Sequence, residues 1–285
     1  MKTKILVIRA GALGDVILAT GIVRELNKFH SGQCSIDVAT EYPEVFKNNP
    51  YVNLVINKSS VNQSEYDQVI DLDLCYEMAP NQHVLDAYSK KAFGIANFNV
   101  SPELFVEEEH TTFPKIDAPY VVVHMRNHYW PSRNLPQEFW VPLISNILAK
   151  TNYTVVQIGS GQDLAFGGLG DRLINTVGKL GLHQSHALID QAQAFVGADA
   201  GALHIAACTQ TPILAMYTSV RADYREPKYR TAPHISIASD IDCYGCVEKC
   251  PVPYSNYYCA RGDEQCVRSF DPESVYQKLV ELIKE

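Results

Sequence analysis

Two short stretches of this 285-residue chain set a carboxylate beside glycines where a strand should give way to a helix. The first is Arg9-Ala10-Gly11-Ala12-Leu13-Gly14-Asp15, which follows the apolar run Ile5–Ile8. Gly11 and Gly14 let backbone approach an acceptor or a pyrophosphate, and a helix start offers N–H groups with no partner inside the helix. Asp15 reads in two ways: as an aspartate capping that helix, or as a general base projecting into a cleft. The second stretch is Gly197-Ala198-Asp199-Ala200-Gly201-Ala202-Leu203-His204. Asp199 ends a strand, and Gly201, Ala202, Leu203 and His204 fill a first helical turn. Two or three amides there, with the helix dipole behind them, suit a pyrophosphate. The plainer alternatives are Asp199 as a cap and His204 as a packed histidine.

Three further groups add candidates. Residues His124 to Asn134 hold Arg126 and Arg133, and arginine binds phosphate through paired N–H donors. The plainer alternative is a solvated loop pinned by Trp130. Gly159-Ser160-Gly161 is a glycine loop of a kind many α/β domains carry. Cys243, Cys246, Cys250, Cys259 and Cys266 fall in a Cys-x2-Cys-x3-Cys-x8-Cys-x6-Cys pattern. It reads either as a reduced loop or as the ligands of a structural zinc or iron. In the metal reading four of the five complete a tetrahedral set and one is spare. No nucleophile elbow, zinc-protease helix or calcium loop is present.

The elements that must position these residues alternate in two blocks. Short apolar strands and helical patterns run to about residue 94, and an irregular segment with Pro102, Pro114 and Pro119 follows. The alternation restarts at Tyr120. Expected helices include Glu41–Asn48, His83–Gly94, Pro136–Lys150, Ser185–Ala194, Ala202–Cys208 and Pro272–Lys284. This is the pattern of two doubly wound α/β domains, 1–115 and 116–285, whose post-strand loops face a common cleft. The composition is 46% apolar and 20% charged, which excludes disorder, collagen and coiled coil. The net charge of −8 counts against nucleic acid as a partner without excluding a locally basic cleft. No apolar run approaches the roughly 20 residues of a membrane span, and the N-terminus reads as a buried strand rather than a signal peptide. The expectation is a cytoplasmic protein.

Taken together the segments resemble glycosyltransferase family nine, the ADP-heptose:lipopolysaccharide heptosyltransferases. Ile5–Arg9 with Leu13-Gly14-Asp15 is similar to the family's opening strand and turn. Gly197-x-Asp199-x-Gly201-x-x-His204-x-Ala206-Ala207 is similar to its signature, with Ala200 where the family carries Thr. The cysteine segment followed by Asp271-Pro272-Glu273 resembles its tail, with Cys259 additional. The resemblance implies a GT-B fold: two Rossmann-like domains, acceptor-binding at 1–115 and nucleotide-sugar-binding at 116–285, facing a central cleft. It implies an inverting transferase that needs no catalytic cofactor and moves heptose or a related sugar from a nucleotide diphosphate, ADP-heptose-like, to a glycan acceptor. Asp15 would be the base. Asp199, Gly201, Ala202, Leu203, His204, Arg126, Arg133 and Gly159 would bind the donor, with Arg133 near the family's phosphate-binding lysine. A role in surface glycan or lipopolysaccharide synthesis would put the enzyme at the periphery of the inner membrane. Alternatives are the same chemistry on a protein or on a hydroxylated base in phage-type DNA, or a binding module without catalysis.

Overall fold

The computed structural model describes residues 2–78, 81–96, 100–107, 113, 115–125, 131–249 and 259–284. Arg126 and Cys250, and the expected pinning residue Trp130, lie outside the described residues. The chain forms two compact units, Met1–Glu107 and Glu108–Glu285.

The first unit is built on β1 (Thr3–Ile8), β2 (Cys34–Ala39), β3 (Leu54–Ile56) and β4 (Gln68–Asp71). All pair in parallel, in the order β3-β2-β1-β4. Ile5, Leu6, Val7 and Ile8 are buried on both faces, which is why β1 is a continuous apolar run. Helix α1 (Leu13–Phe29) returns from β1 and buries Val16, Ile17, Ile22, Val23 and Leu26. Each such side chain contributes roughly 1.5–3 kcal/mol of burial. Helix α2 (Val84–Phe93) packs against α1 and stops at Gly94, whose φ of 76° is left-handed. Residues 100–103 also lie along α1, since a Cβ on Gly21 would come within 2.5 Å of Ser101 O and Val100 Cγ1. The segment Glu41–Asn48 is not a helix. It holds one 3-10 turn, Pro43–Phe46, because Lys47 turns extended and Asn48 takes a φ of 58°.

The second unit holds six parallel strands: β5 (Tyr120–His124), β6 (Thr154–Ile158), β7 (Leu173–Asn175), β8 (Ala194–Ala198), β9 (Ile213–Tyr217) and β10 (His234–Ala238). Their order is β10-β9-β8-β5-β6-β7. The connecting helices are α3 (Gln137–Lys150), α4 (Leu182–Asp190), α5 (Gly201–Ala207) and α6 (Ala222–Arg225). The chain closes with α7 (Gln265–Arg268) and α8 (Pro272–Lys284). Phe139, Trp140, Leu143 and Ile147 of α3 share one core with Val275, Tyr276, Leu279 and Leu282 of α8. Helix α4 begins three residues before the expected Ser185, because the Gln184 side chain accepts from Gly181 N–H at 3.0 Å and starts the turn there. The edge strand β10 is half-buried from His234 to Ile237 and exposed at Ala238, and no continuous apolar run announced it.

In both sheets the strand order reverses beside the first strand of the unit. The reversal lies between β1 and β4 in the first sheet and between β5 and β8 in the second. Crevices at such points are where open α/β sheets bind ligands.

Candidate active site

In the first unit, β1 delivers Arg9 and the first turn of α1 delivers Asp15. The cap position of α1 is Ala12, which has no side chain that could cap, and Asp15 lies three residues further in. Asp15 is therefore not the capping aspartate. Its Oδ2 accepts from Arg9 Nη2 at 2.6 Å, and Tyr76 Oη donates at 3.2 and 3.3 Å to its two oxygens. Arg9 Nη2 also donates to Glu77 Oε1 at 3.0 Å, and Nη1 to Leu72 O at 3.0 Å. Asp73 Oδ1 lies 4.0 Å from Arg9 Nε and accepts from Ala10 N at 2.9 Å. The rings of Tyr76 and Tyr88 flank the guanidinium at 5.4 and 5.9 Å. Burial works against the Arg9 charge, but Asp15, then the two tyrosines, then Glu77 outweigh it and hold its pKa above the ordinary value. Arg9 is 4% exposed and Asp15 17% exposed, so the aspartate is the open end of the pair. Gly14 is buried in α1. Among the described residues a Cβ on Gly11 would meet only Tyr42 at 3.6 Å and Glu41 at 3.9 Å, both ordinary contacts.

In the second unit, β8 runs into Asp199 and then α5. The cap of α5 is Ala200, again without a side-chain hydrogen bond, so Asp199 is not the cap either. Asp199 is buried. Its Oδ2 pairs with Arg133 Nη1 at 2.9 Å, and His204 Nε2 lies 3.8 Å from its Oδ1. His204 is thus both a packed residue, 7% exposed, and a neighbour of the aspartate. Leu203 N–H donates to Ala200 O at 3.0 Å and is spent on the turn. A ligand would meet the amides of Gly201 and Ala202, the first of the helix, which have no acceptor within it.

Arg133 ends the 3-10 turn Pro131–Arg133. The turn is held from below: Thr218 Oγ1 donates to Ser132 O at 2.6 Å, and the hydroxyls of Ser132 and Ser219 meet at 3.0 Å. Gly159, expected to bind the donor, also has a local role. A Cβ there would come within 2.5 Å of Asp163 Oδ2, the atom that accepts from Ser160 N at 2.6 Å. This glycine closes its own loop around Asp163. His124 faces the same carboxylate at 3.9 Å; burial lowers its pKa against the opposing pull of Asp163.

Cys243, Cys246, Cys259 and Cys266 line one cavity of about 60 Å³ together with Ser132 and Ser219. No disulfide joins them. Among the described residues no three His, Cys, Asp or Glu side chains are set to hold a metal ion. Burial first, then the neighbouring cysteines, push the Cys266 thiol up to about 12. At Cys259 burial is outweighed by the amides of residues 261–264, and the thiol is held below its ordinary value. Cys266 Sγ donates to Ser132 O at 3.8 Å, which ties the cavity to the Arg133 turn.

Reading the sequence missed Arg9 as a functional residue, and Tyr76, Glu77 and Asp73 altogether. A signal was there: Asp71-Leu72-Asp73 ends a predicted strand, the place where α/β ligand loops begin.

Comparison with known proteins gives these residues a context. Glycosyltransferase family 9 (heptosyltransferase) matches residues 79–253, more than half of the chain. The matched stretch covers the Arg133 and Asp199 segments and begins after Asp15. No curated protein matches the chain in sequence. A glycosyltransferase family 9 structure from Veillonella parvula is 16% identical, with 100% of this chain and 98% of that one covered and a TM-score of 0.75. The ADP-heptose lipopolysaccharide heptosyltransferase II of E. coli is 19% identical, with 99% of each chain covered and a TM-score of 0.74. The iron-containing dodecameric glycosyltransferase TibC of enterotoxigenic E. coli is 14% identical, covered over 99% of this chain and 76% of its own, with a TM-score of 0.77. TibC is also known in complex with ADP-D-β-D-heptose. The two parallel-sheet units have the GT-B fold of these heptosyltransferases, and the chain belongs to glycosyltransferase family 9.

Proposed function

We propose that this glycosyltransferase moves heptose or a related sugar, with inversion, from a nucleotide-diphosphate donor to an acceptor hydroxyl in a surface glycan such as lipopolysaccharide. The observation that carries the reading is the pair of arginine–aspartate sites, one exposing its carboxylate and the other backing a cation with a buried carboxylate. The acceptor belongs to the first unit and the donor to the second. Asp15 takes the proton of the acceptor hydroxyl at about 2.6–3.2 Å. The hydroxyl oxygen forms its bond to the anomeric carbon from the face opposite the diphosphate. The bond to the diphosphate breaks, and its electron pair leaves with the phosphate oxygen. Arg133 and the amides of Gly201 and Ala202 meet that growing charge, since donors fixed where charge develops lower the barrier. Asp199 aims Arg133 and accepts from donor sugar hydroxyls. Arg126 would add a second cation.

ADP-heptose is the donor we favour, since one similar structure is an ADP-heptose heptosyltransferase and another holds ADP-D-β-D-heptose. Cys243, Cys246, Cys259 and Cys266 share one cavity, but among the described residues no three of them are set to hold an ion, so the zinc or iron read from their spacing has no part in the mechanism. No helix among the described residues is long and apolar enough to cross a membrane. We place the enzyme in the cytoplasm, at the inner membrane where such acceptors are built.

Thermal melts with ADP-, UDP- and GDP-sugars test the donor, because a ligand raises stability by RT ln(1 + [L]/Kd). ADP-heptose should raise Tm most, and sugar should then appear on a glycan acceptor. Stabilisation by a UDP-sugar alone, or binding without product, would overturn the reading.

A further inference from the structure

The Arg9 site holds one more buried acid than the reaction just described employs. Glu77, midway along the β4–α2 connection, has a side chain only 5% exposed. Its Oε1 accepts from Arg9 Nη2 at 3.0 Å, the same nitrogen that donates to Asp15 Oδ2 at 2.6 Å. Its Oε2 is buried with no hydrogen-bond partner among the described residues. The charged and titratable groups around it are Arg9, Asp15 and Cys75, then Asp73, Tyr76 and Tyr88 around the same guanidinium, with Lys91 acting on Cys75. Burial first, then the Asp15 charge, raise the Glu77 pKa over the opposing pull of Arg9.

This arrangement bears on what a base in that position must do. An aspartate bonded to a guanidinium is a weak base, because taking up a proton forfeits the ion pair. In a buried site it also strands the cation, and a buried unpaired charge is costly. A second carboxylate on the same N–H₂ group removes that penalty. The two carboxylates also repel, so one proton on the pair is favoured over none.

We propose that Glu77 is a positioning residue for sugar transfer: it keeps Arg9 paired while Asp15 carries the acceptor's proton, so Arg9 can orient Asp15 without suppressing its basicity. The inference rests on the reading of Asp15 as the base. The proton passes from the acceptor hydroxyl to Asp15 and afterwards to solvent, and Glu77 touches neither substrate.

The test is a kcat–pH profile of the full chain for Glu77→Gln and Glu77→Asp, with Asp15→Asn beside them. Loss of the Glu77 charge leaves Asp15 as the one carboxylate bonded to Arg9 Nη2, with Asp73 at 4.0 Å from Nε, and lowers the proton affinity of Asp15. The acidic limb for Glu77→Gln should therefore move down by about half to one pH unit. Its plateau should fall about threefold to tenfold, with the KM for donor within about twofold. Glu77→Asp, charged but shorter, should fall between Glu77→Gln and wild type. An acidic limb that stays in place in folded Glu77→Gln overturns the proposal. Should Glu77→Gln fail to fold, Glu77→Asp decides: a lowered limb supports the proposal, and a wild-type limb and plateau overturn it. Turnover persisting in Asp15→Asn would sink the base reading itself. A dead Asp15→Asn with wild-type limbs in the Glu77 variants would sink only the inference.

Discussion

Both units set an arginine against an aspartate beside the reversal of strand order in their sheet, but the two pairs are buried in opposite senses. In the first unit Arg9 is the anchor, 4% exposed, and Asp15 is the open end at 17%. In the second unit Asp199 is the anchor at 4%, and Arg133 is the open end at 15%. The company each anchor keeps follows the same inversion. Arg9 sits among Asp15, Asp73 and Glu77, one cation to three carboxylates. Asp199 sits between Arg133 and His204, one carboxylate to one arginine and a histidine. An excess of carboxylate around a fixed cation makes a proton acceptor, and a cation backed by a fixed carboxylate makes an anion binder. In the proposed function one local motif, inverted, would supply the two halves of a glycosyl transfer.

Removing an anchor should do most damage. Arg9→Met leaves three carboxylates around an apolar side chain, and breaking such a buried pair costs about 3–5 kcal/mol. Denaturant unfolding should show that loss, with Arg9→Lys intermediate because an ammonium cannot spread its N–H groups over the same partners. Wild-type stability in Arg9→Met would mean the first site is not organised around its cation. Removing an open end should spare the fold and strike the ligand. For Arg133→Gln we expect donor affinity to fall about tenfold to a hundredfold by calorimetry, with a smaller stability loss of about 1–3 kcal/mol because the pair is partly exposed.

The units should also differ toward acid. His124, His186 and His234, all in the second unit, have pKa values lowered chiefly by burial. A histidine neutral in the fold but protonated when unfolded costs nothing above its ordinary value near 6.5 and destabilises progressively below it. Melts at falling pH should lose stability from about pH 6.5 downward, and His124→Gln should flatten that slope. A slope unchanged in His124→Gln would assign the effect elsewhere. The smallest contrast lies between two glycines of the first unit. Gly21→Ala must push the Ser101 backbone and should cost about 1–3 kcal/mol. Gly11→Ala should leave stability within about 0.5 kcal/mol and show itself only in turnover.

What could be read in advance divides along physical lines. Buried parallel strands such as Ile5–Ile8 and Tyr120–His124 are plain apolar runs, so two doubly wound units were legible. The turns at Asp15 and Asp199 were legible because strand, glycine and helix start are neighbours in sequence. What surrounds those carboxylates was not. Tyr76 reaches Asp15, and Glu77 reaches Arg9, from more than sixty residues away, through a pairing of β1 with β4 that no local pattern encodes. The capping readings of Asp15 and Asp199 failed for a local reason: each helix begins at an alanine cap, one residue after Asp199 and three before Asp15. That Gly159 also closes a turn on Asp163 was not legible, because a tight carboxylate-closed turn and a phosphate loop need the same residue.

The division of labour between the units is tested most directly by measuring donor affinity and transfer rate together in Asp15→Asn. Donor affinity should stay at the wild-type value while transfer falls at least about a hundredfold. Transfer near the wild-type rate, or donor binding lost along with it, would contradict the account.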